Sequence, residues 1–126
     1  MKKSESPSAS LKREQQKAKR EHLELTLLQQ IRQSGLPTPE RQVQLIPGRK
    51  WSWDVVYRAE MIAIEVQGGS WGVGAHSSGL GIARDCEKAN SANLAGWCCL
   101  AFTTDQIRSG YAIATIQEAL RLHPPF

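Results

Sequence analysis

The sequence of 126 residues has no apolar run close to the length of about 20 residues that a membrane-spanning helix requires. Its first residues, Met-Lys-Lys-Ser-Glu-Ser-Pro, contain no apolar segment of the kind that a secretory signal needs. These absences predict a cytoplasmic protein with no membrane partner. A chain of this length is expected to fold as one domain around a single core.

Cysteine is scarce, and its spacing excludes two common kinds of small domain. Cys86, Cys98 and Cys99 are odd in number and form no CxxC pair, so neither a disulfide framework nor a zinc site is expected. Reduced, buried thiols are predicted instead. The glycines match neither a Walker-type phosphate loop nor a dinucleotide fingerprint, and we expect no organic cofactor.

The basic charge is concentrated at one end of the chain. The net charge is +4, and residues 1–20 carry a larger basic excess than the whole sequence. The bases in this segment are Lys2, Lys3, Lys12, Arg13, Lys17, Lys19 and Arg20. Such an arm either adds affinity for phosphates or is a solvated terminus that aids solubility. We expect residues 1–18 to form a flexible arm, disordered to about residue 10, and residues 19–126 to form the folded domain.

Hydrophobic periodicity predicts an α/β protein with a small mixed sheet between helices. Leucines at helical spacing predict a first helix from Leu11 to about Ser34, which Gly35 and Pro37 end. Strands are predicted at 41–46, 51–57, 61–67 and 97–102. Further helices are predicted at 82–95, from a Thr103 or Thr104 cap through Ile107, and at 111–122.

Two acids inside apolar strands are the first candidate site. Side chains alternate along a strand, and a turn at 58–60 lays Asp54 opposite residues 63–65, so Asp54 and Glu65 meet at one end of a sheet. Carboxylates are costly to bury without a cation or donors. They are either ligands of a divalent ion such as Mg²⁺ or strand-end acids paired with arginine.

Three further polar residues are compatible with that site, and each has an ordinary alternative. Gln67 follows Glu65 on the same face, where its amide orients water or is simply an edge-strand group. Lys88 either reaches the acids from its helix or forms a surface ion pair with Asp85. Glu24 is either a third acid aimed at the site or an exposed helix position.

A glycine-rich segment follows the second acid. Residues 68–81 hold six of the ten glycines, together with Trp71 and His76, which predicts a loop beside the site. Trp71 stacks on a base or packs in the core. His76 contacts phosphate or is an exposed bystander. A thiol enzyme that uses Cys86 and His76 is a further alternative.

These motifs together resemble the PD-(D/E)XK nuclease superfamily. The resemblance covers about residues 20–110 and is carried by Trp53-Asp54, by Ile64-Glu65-Val66-Gln67-Gly68-Gly69-x-Trp71, by Gly74-x-His76 and Gly79, by Asp85-x-x-Lys88-x-Asn90-x-Ala92 and by Gly96-Trp97. It is closest to small phage or mobile-element nucleases related to very-short-patch repair endonucleases.

The resemblance implies a restriction-endonuclease-like αβββαβ core and Mg²⁺-dependent hydrolysis of DNA, with Mn²⁺ able to substitute. Asp54, Glu65 and the carbonyl of Val66 would hold the metal, and Glu24 would be an auxiliary acid. We expect His76, Trp71 and the basic arm to contact DNA. A single short domain has little surface for reading sequence, so a homodimer is expected, acting in DNA repair or recombination in a bacterial or phage-infected cell. Structured DNA (branched, flap or nicked) is the expected substrate.

The sequence departs from the superfamily pattern at the position that usually carries a lysine. That position, two residues after the second acid, is Gln67, and the resemblance implies that Lys88 on the next helix replaces it. Trp53 precedes the first acid where proline is common, and no zinc-binding cysteines are present. A catalytically inactive module that binds nucleic acid or a partner is therefore the alternative function.

Overall fold

The computed structural model describes residues 7–67 and 79–125, and the elements in these ranges follow the predicted order. They are α1 (Pro7–Gln33), β1 (Glu40–Val43), β2 (Trp53–Tyr57), β3 (Ile62–Gln67), α2 (Gly79–Leu94), β4 (Cys98–Thr103), α3 (Thr104–Arg108) and α4 (Tyr111–Leu122). No helix in this part of the chain is both long and apolar enough to cross a membrane.

The four strands form one mixed sheet in the order β1-β2-β3-β4. β1, β2 and β3 are antiparallel neighbours, and β4 runs parallel to β3. A parallel neighbour requires a crossover, and α2 lies within the segment that connects β3 to β4. The predicted α/β class with a restriction-endonuclease-like αβββαβ core is confirmed.

The larger core lies between the sheet and helices α1, α3 and α4. Leu23, Leu27 and Ile31 recur one helical turn apart and bury one face of α1. They pack with alternate strand residues such as Ile62 and Ile64. Each buried side chain of this size contributes about 1.5–3 kcal/mol relative to an exposed one, so this face fixes how α1 is rotated against the sheet.

A smaller core covers the opposite face of the sheet. Trp53, Val56 and Ala63 pack there with Ala92 of α2. Helical spacing in the sequence predicts that Ile82, Cys86, Ala89 and Asn93 form the buried face of α2, but Ile82, Cys86 and Asn93 are exposed while Ala92 is buried. The helix has few large apolar residues, so its pattern did not specify the buried face.

Two other expectations are corrected. α1 begins at Pro7, so residues 7–10 are helical rather than disordered. Proline suits the first helical turn because the backbone N–H groups there have no acceptor within the helix, so the missing N–H of proline costs no hydrogen bond. The boundary between arm and domain at residue 18 stays a prediction. Of the three cysteines that were expected to be buried, Cys86 is exposed, and Cys98 and Cys99 are half-buried. The exposure of Cys86 arises from the rotation of α2.

Tyr57 makes the stability of the fold dependent on alkaline pH. Its ring is buried, and its hydroxyl donates to the carbonyl oxygen of Pro37 at 2.8 Å. Burial, with a smaller contribution from the negative charge of Glu60, raises the pKa of Tyr57 to about 12. The unfolded chain therefore releases this proton from about pH 10, whereas the folded protein keeps it until about pH 12.

The ionisation of Tyr57 should consequently leave the free energy of unfolding unchanged below about pH 10 and lower it as the pH rises from there to about 12. Between about pH 8 and pH 11 the loss is about 1 kcal/mol. Tyr57→Phe should remove this slope and cost about 1 kcal/mol at neutral pH for the lost hydrogen bond. Denaturant titrations at both pH values measure the effect, with the exposed Tyr111→Phe as the matched control. Equal slopes in wild type and Tyr57→Phe would contradict it.

Candidate active site

Asp54 and Glu65 face each other across β2 and β3. The pairing of Val55 with Ile64 sets Asp54 across from Glu65, as the predicted hairpin requires. Asp54 is only 4% exposed, and its Oδ2 accepts a hydrogen bond from the backbone N–H of Val66 at 2.7 Å. This bond anchors the Asp54 carboxylate against β3, beside the second acid.

Lys88 reaches the acid pair from α2. Its Nζ contacts Glu65 Oε1 and donates to the carbonyl oxygen of Ser52 at 2.6 Å. The ammonium also lies 4.6 Å from the centre of the Trp53 ring, a distance at which a cation is attracted to the aromatic face. The Lys88 side chain therefore points toward the acids and does not form the surface ion pair with Asp85.

Arg20 lies between the two acids. One guanidinium nitrogen, Nη2, is 3.5 Å from Asp54 Oδ2 and 3.5 Å from Glu65 Oε2. The sequence assigns Arg20 to the DNA-contacting arm, whereas this side chain touches the acids directly. About half of it remains exposed. Both carboxylates are thus within reach of a single cationic group, which is also what a shared metal ion would require.

The environment of Glu65 makes its carboxyl easier to protonate than that of an ordinary glutamate. Burial raises the pKa of the Glu65 carboxyl above its ordinary value, and the negative charge of Asp54 adds to that effect. The hydrogen bond and charge of Lys88 and the charge of Arg20 act in the opposite direction but do not cancel it. Any cation bound to Glu65 therefore competes with a proton as the pH falls.

Glu24 is buried against the site rather than exposed. Its side chain is almost fully enclosed, and its carboxylate accepts hydrogen bonds from Arg41 Nε at 3.2 Å and from the Gln42 amide at 3.3 Å. Gln42 also donates to Asp54 Oδ1 at 3.1 Å, so it connects Glu24 to the acid pair. Among the described residues, no three His, Cys, Asp or Glu side chains are grouped closely enough to hold a metal.

Sequence reasoning missed the parts that Arg41 and Gln42 play. Both lie in the short edge strand β1, whose sequence Glu-Arg-Gln-Val has the polar character of a solvent-exposed strand. The only available signal was that this polar strand directly precedes the hairpin that carries Asp54. Nothing in it distinguishes a side chain directed at the acids from one directed at water.

A cavity of about 1020 Å³ opens beside the acid pair, and Glu65 but not Asp54 lines it. Its walls include Glu65, Val66 and Gln67 from the end of β3, Arg84, Asp85 and Lys88 from α2, and Arg13, Gln16, Lys17 and Arg20 from α1. The four α1 residues recur at helical spacing and share one face. Lys12 and Lys19 are exposed elsewhere on α1 and do not line the cavity.

An aromatic residue that the sequence did not single out also lines the cavity. Trp51 precedes β2, and the Arg49 guanidinium lies 4.0 Å from the centre of its ring. Arg49 in turn contacts Glu87 of α2. The predicted DNA contacts Trp71 and His76, like Lys2 and Lys3, lie outside the described residues.

The element order and the mixed sheet give the restriction-endonuclease-like fold that the sequence predicts. A solved structure with this fold is the catalytic domain of the homing endonuclease I-Bth0305I. The two superpose with a TM-score of 0.61 at 16% identity, over 81% of this chain and 96% of that domain. No family model and no curated protein matches the sequence.

Proposed function

We propose that this protein is a metal-dependent endodeoxyribonuclease that hydrolyses phosphodiester bonds. The carrying observation is that Glu65 and Lys88 line one cavity whose α1 wall is basic, with Asp54 buried beside Glu65 and within reach of the same Arg20 guanidinium. The fold supports the proposal, because it is shared with an endonuclease catalytic domain. A cavity without this positive charge would not attract a DNA phosphate electrostatically.

The donor groups suit a hard divalent cation. Mg²⁺ and Mn²⁺ prefer carboxylate oxygens and need only one or two of them together with water and a substrate phosphate. Asp54, Glu65 and the carbonyl of Val66 would hold the ion. When bound, it would polarise the phosphate and lower the pKa of water. Arg20 is half exposed, so it can leave the acids without unpacking the core.

Lys88 and Gln67 are the groups of this chain that would act on the substrate. Ser52 and the Trp53 ring restrain the Lys88 ammonium, which would therefore meet negative charge developing on the phosphate with little reorganisation. Gln67 lines the same cavity, where its amide would orient the attacking water. Glu24 would act as an auxiliary acid that adds negative charge behind Asp54.

The basic face of α1 is the proposed contact surface for DNA. Arg13 and Lys17 line the cavity, and Lys12, Lys19 and a displaced Arg20 would add phosphate contacts along the helix. Trp71 and His76 are proposed as further contacts. A domain of this size has little surface for reading a long sequence, so branched, flap or nicked DNA is the preferred substrate, bound by a homodimer. Repair or recombination in a bacterial or phage-infected cell is the corresponding setting.

A cleavage panel with the full-length protein tests this function. Junction, flap, nicked and intact duplex DNA of matched sequence should be cut with Mg²⁺ or Mn²⁺ and left intact with EDTA, and the structured substrates should be cut faster. An RNA junction of the same sequence is the control that tests whether cleavage requires deoxyribose. Cleavage that persists in EDTA would refute the metal requirement.

The second candidate is an inactive nucleic-acid-binding or partner-binding module. It is favoured by Gln67, which stands at the usual lysine position, and by the neutralisation of both acids by Arg20 and Lys88. Tight DNA binding without cleavage of any substrate under either metal would establish this alternative.

A further inference from the structure

Gln42 has a backbone conformation that is unusual for its residue type. Its φ is +50°, in the left-handed region that residues with side chains rarely adopt. Among non-glycine residues in the described ranges, only Met61 shares this feature. Met61 lies in the turn between β2 and β3, where the chain reverses, whereas Gln42 lies within an edge strand. Such a conformation persists where surrounding contacts enforce it.

The Gln42 side chain supplies those contacts. Its amide nitrogen is 3.1 Å from Asp54 Oδ1 and 3.3 Å from both carboxylate oxygens of Glu24. Its amide oxygen accepts a hydrogen bond from Ser52 Oγ at 3.3 Å. Because ionised carboxylates only accept hydrogen bonds, the NH₂ group must face the two acids, and the hydroxyl fixes the opposite end of the amide.

The position of Gln42 follows from the sheet register. Arg41 pairs with Val55 and Val43 pairs with Trp53, so Gln42 stands across from Asp54. A neutral donor here binds two carboxylates without neutralising them. Arg41 brings positive charge to Glu24 and Arg20 brings it to Asp54, whereas Gln42 joins the two acids without adding charge.

We propose that Gln42 is a positioning residue that holds Glu24 and Asp54 together for metal binding, and that its left-handed backbone serves this contact. The inference rests on the proposed metal-dependent nuclease function. It adds a residue that acts through the acids and touches neither substrate nor metal.

Gln42→Asn separates positioning from folding. Asparagine adopts the left-handed region more readily than glutamine, but its side chain is one methylene shorter and cannot bridge the two carboxylates. We expect Mn²⁺ affinity, measured by calorimetry without DNA, to fall about 10- to 100-fold. Cleavage at limiting Mn²⁺ should fall in parallel, while the unfolding temperature stays at or above the wild-type value. Met61→Asn places asparagine at the other left-handed position, away from the site, and should keep wild-type Mn²⁺ affinity and cleavage.

A wild-type Mn²⁺ affinity in Gln42→Asn would overturn the inference. A lowered unfolding temperature that accompanies the loss would also overturn it, because Gln42 would then be structural. Gln42→Gly, which frees the backbone and removes the amide, must reproduce the loss of Mn²⁺ affinity without a lowered unfolding temperature. A wild-type protein that neither binds Mn²⁺ nor cuts DNA would refute the proposed function itself, whereas an active wild type with an unaffected Gln42→Asn refutes only the positioning role.

Discussion

Glu65→Gln is expected to lower the rate of DNA cleavage at saturating Mg²⁺ by about 1000-fold, which corresponds to about 4 kcal/mol of transition-state stabilisation. The substitution keeps the shape of the side chain but removes the charge that a divalent ion needs. It also leaves Lys88 and Arg20 without one of their carboxylate partners. Asp54→Asn should have an effect of similar size, while its amide oxygen can still accept the hydrogen bond from Val66 N–H.

Single-turnover cleavage of the best substrate from the panel measures the effect, and thermal unfolding verifies that the variants are folded. Glu40→Gln is the matched control, because Glu40 is an exposed strand glutamate that pairs with Arg58 at 2.9 Å, away from the acid pair. It should cleave like the wild type. Cleavage by Glu65→Gln within tenfold of the wild type would exclude Glu65 as a metal ligand.

Lys88→Gln is expected to lower the cleavage rate about 100-fold at saturating Mg²⁺, the loss typical of removing one preorganised donor at a developing negative charge. The ammonium is held by the Ser52 carbonyl and the Trp53 ring, so the substitution removes a positive charge that is fixed in place beside Glu65. DNA binding at moderate salt should weaken far less than the rate falls, because one phosphate contact among several is lost.

A charge swap sharpens this test. In the double variant Lys88→Gln with Gln67→Lys, the ammonium returns at the position where the resemblance expects a lysine, on the wall of the same cavity. We expect the swap to recover at least tenfold of the lost rate. Lys50→Gln, an exposed lysine in the loop before β2, is the control for charge alone. A single Lys88→Gln variant with wild-type activity would show that the helix lysine does not replace the missing one.

Most of the fold could be predicted because its elements carry strong local signals. The leucine spacing of α1, the short apolar runs of β2 and β3, and the Thr103 cap of α3 each specify an element from a few neighbouring residues. The ends of α4 were predicted to the residue. The signals were weakest for α2, whose small and polar residues left its rotation undetermined.

The acid pair could also be predicted, because strand alternation and a short turn suffice to bring Asp54 opposite Glu65. Lys88 was identified only as one of two alternatives. Its direction depends on how α2 rotates over the sheet, and the burial of Ala92 against Trp53 settles that rotation. Glu24 was ambiguous for the same reason, because the packing of Leu23 and Leu27 determines that it turns inward.

The local sequence pattern was therefore enough for the order of the elements and the meeting of two carboxylates, since each depends on neighbours along one strand, helix or hairpin. The tertiary structure added the ring of partners around those carboxylates: Arg20 between them, Lys88 from α2, and Gln42 joined to Glu24. These contacts link residues that are 12 to 45 positions apart. Their geometry follows from helix rotation and from a left-handed backbone in an edge strand, and no local periodicity encodes either one.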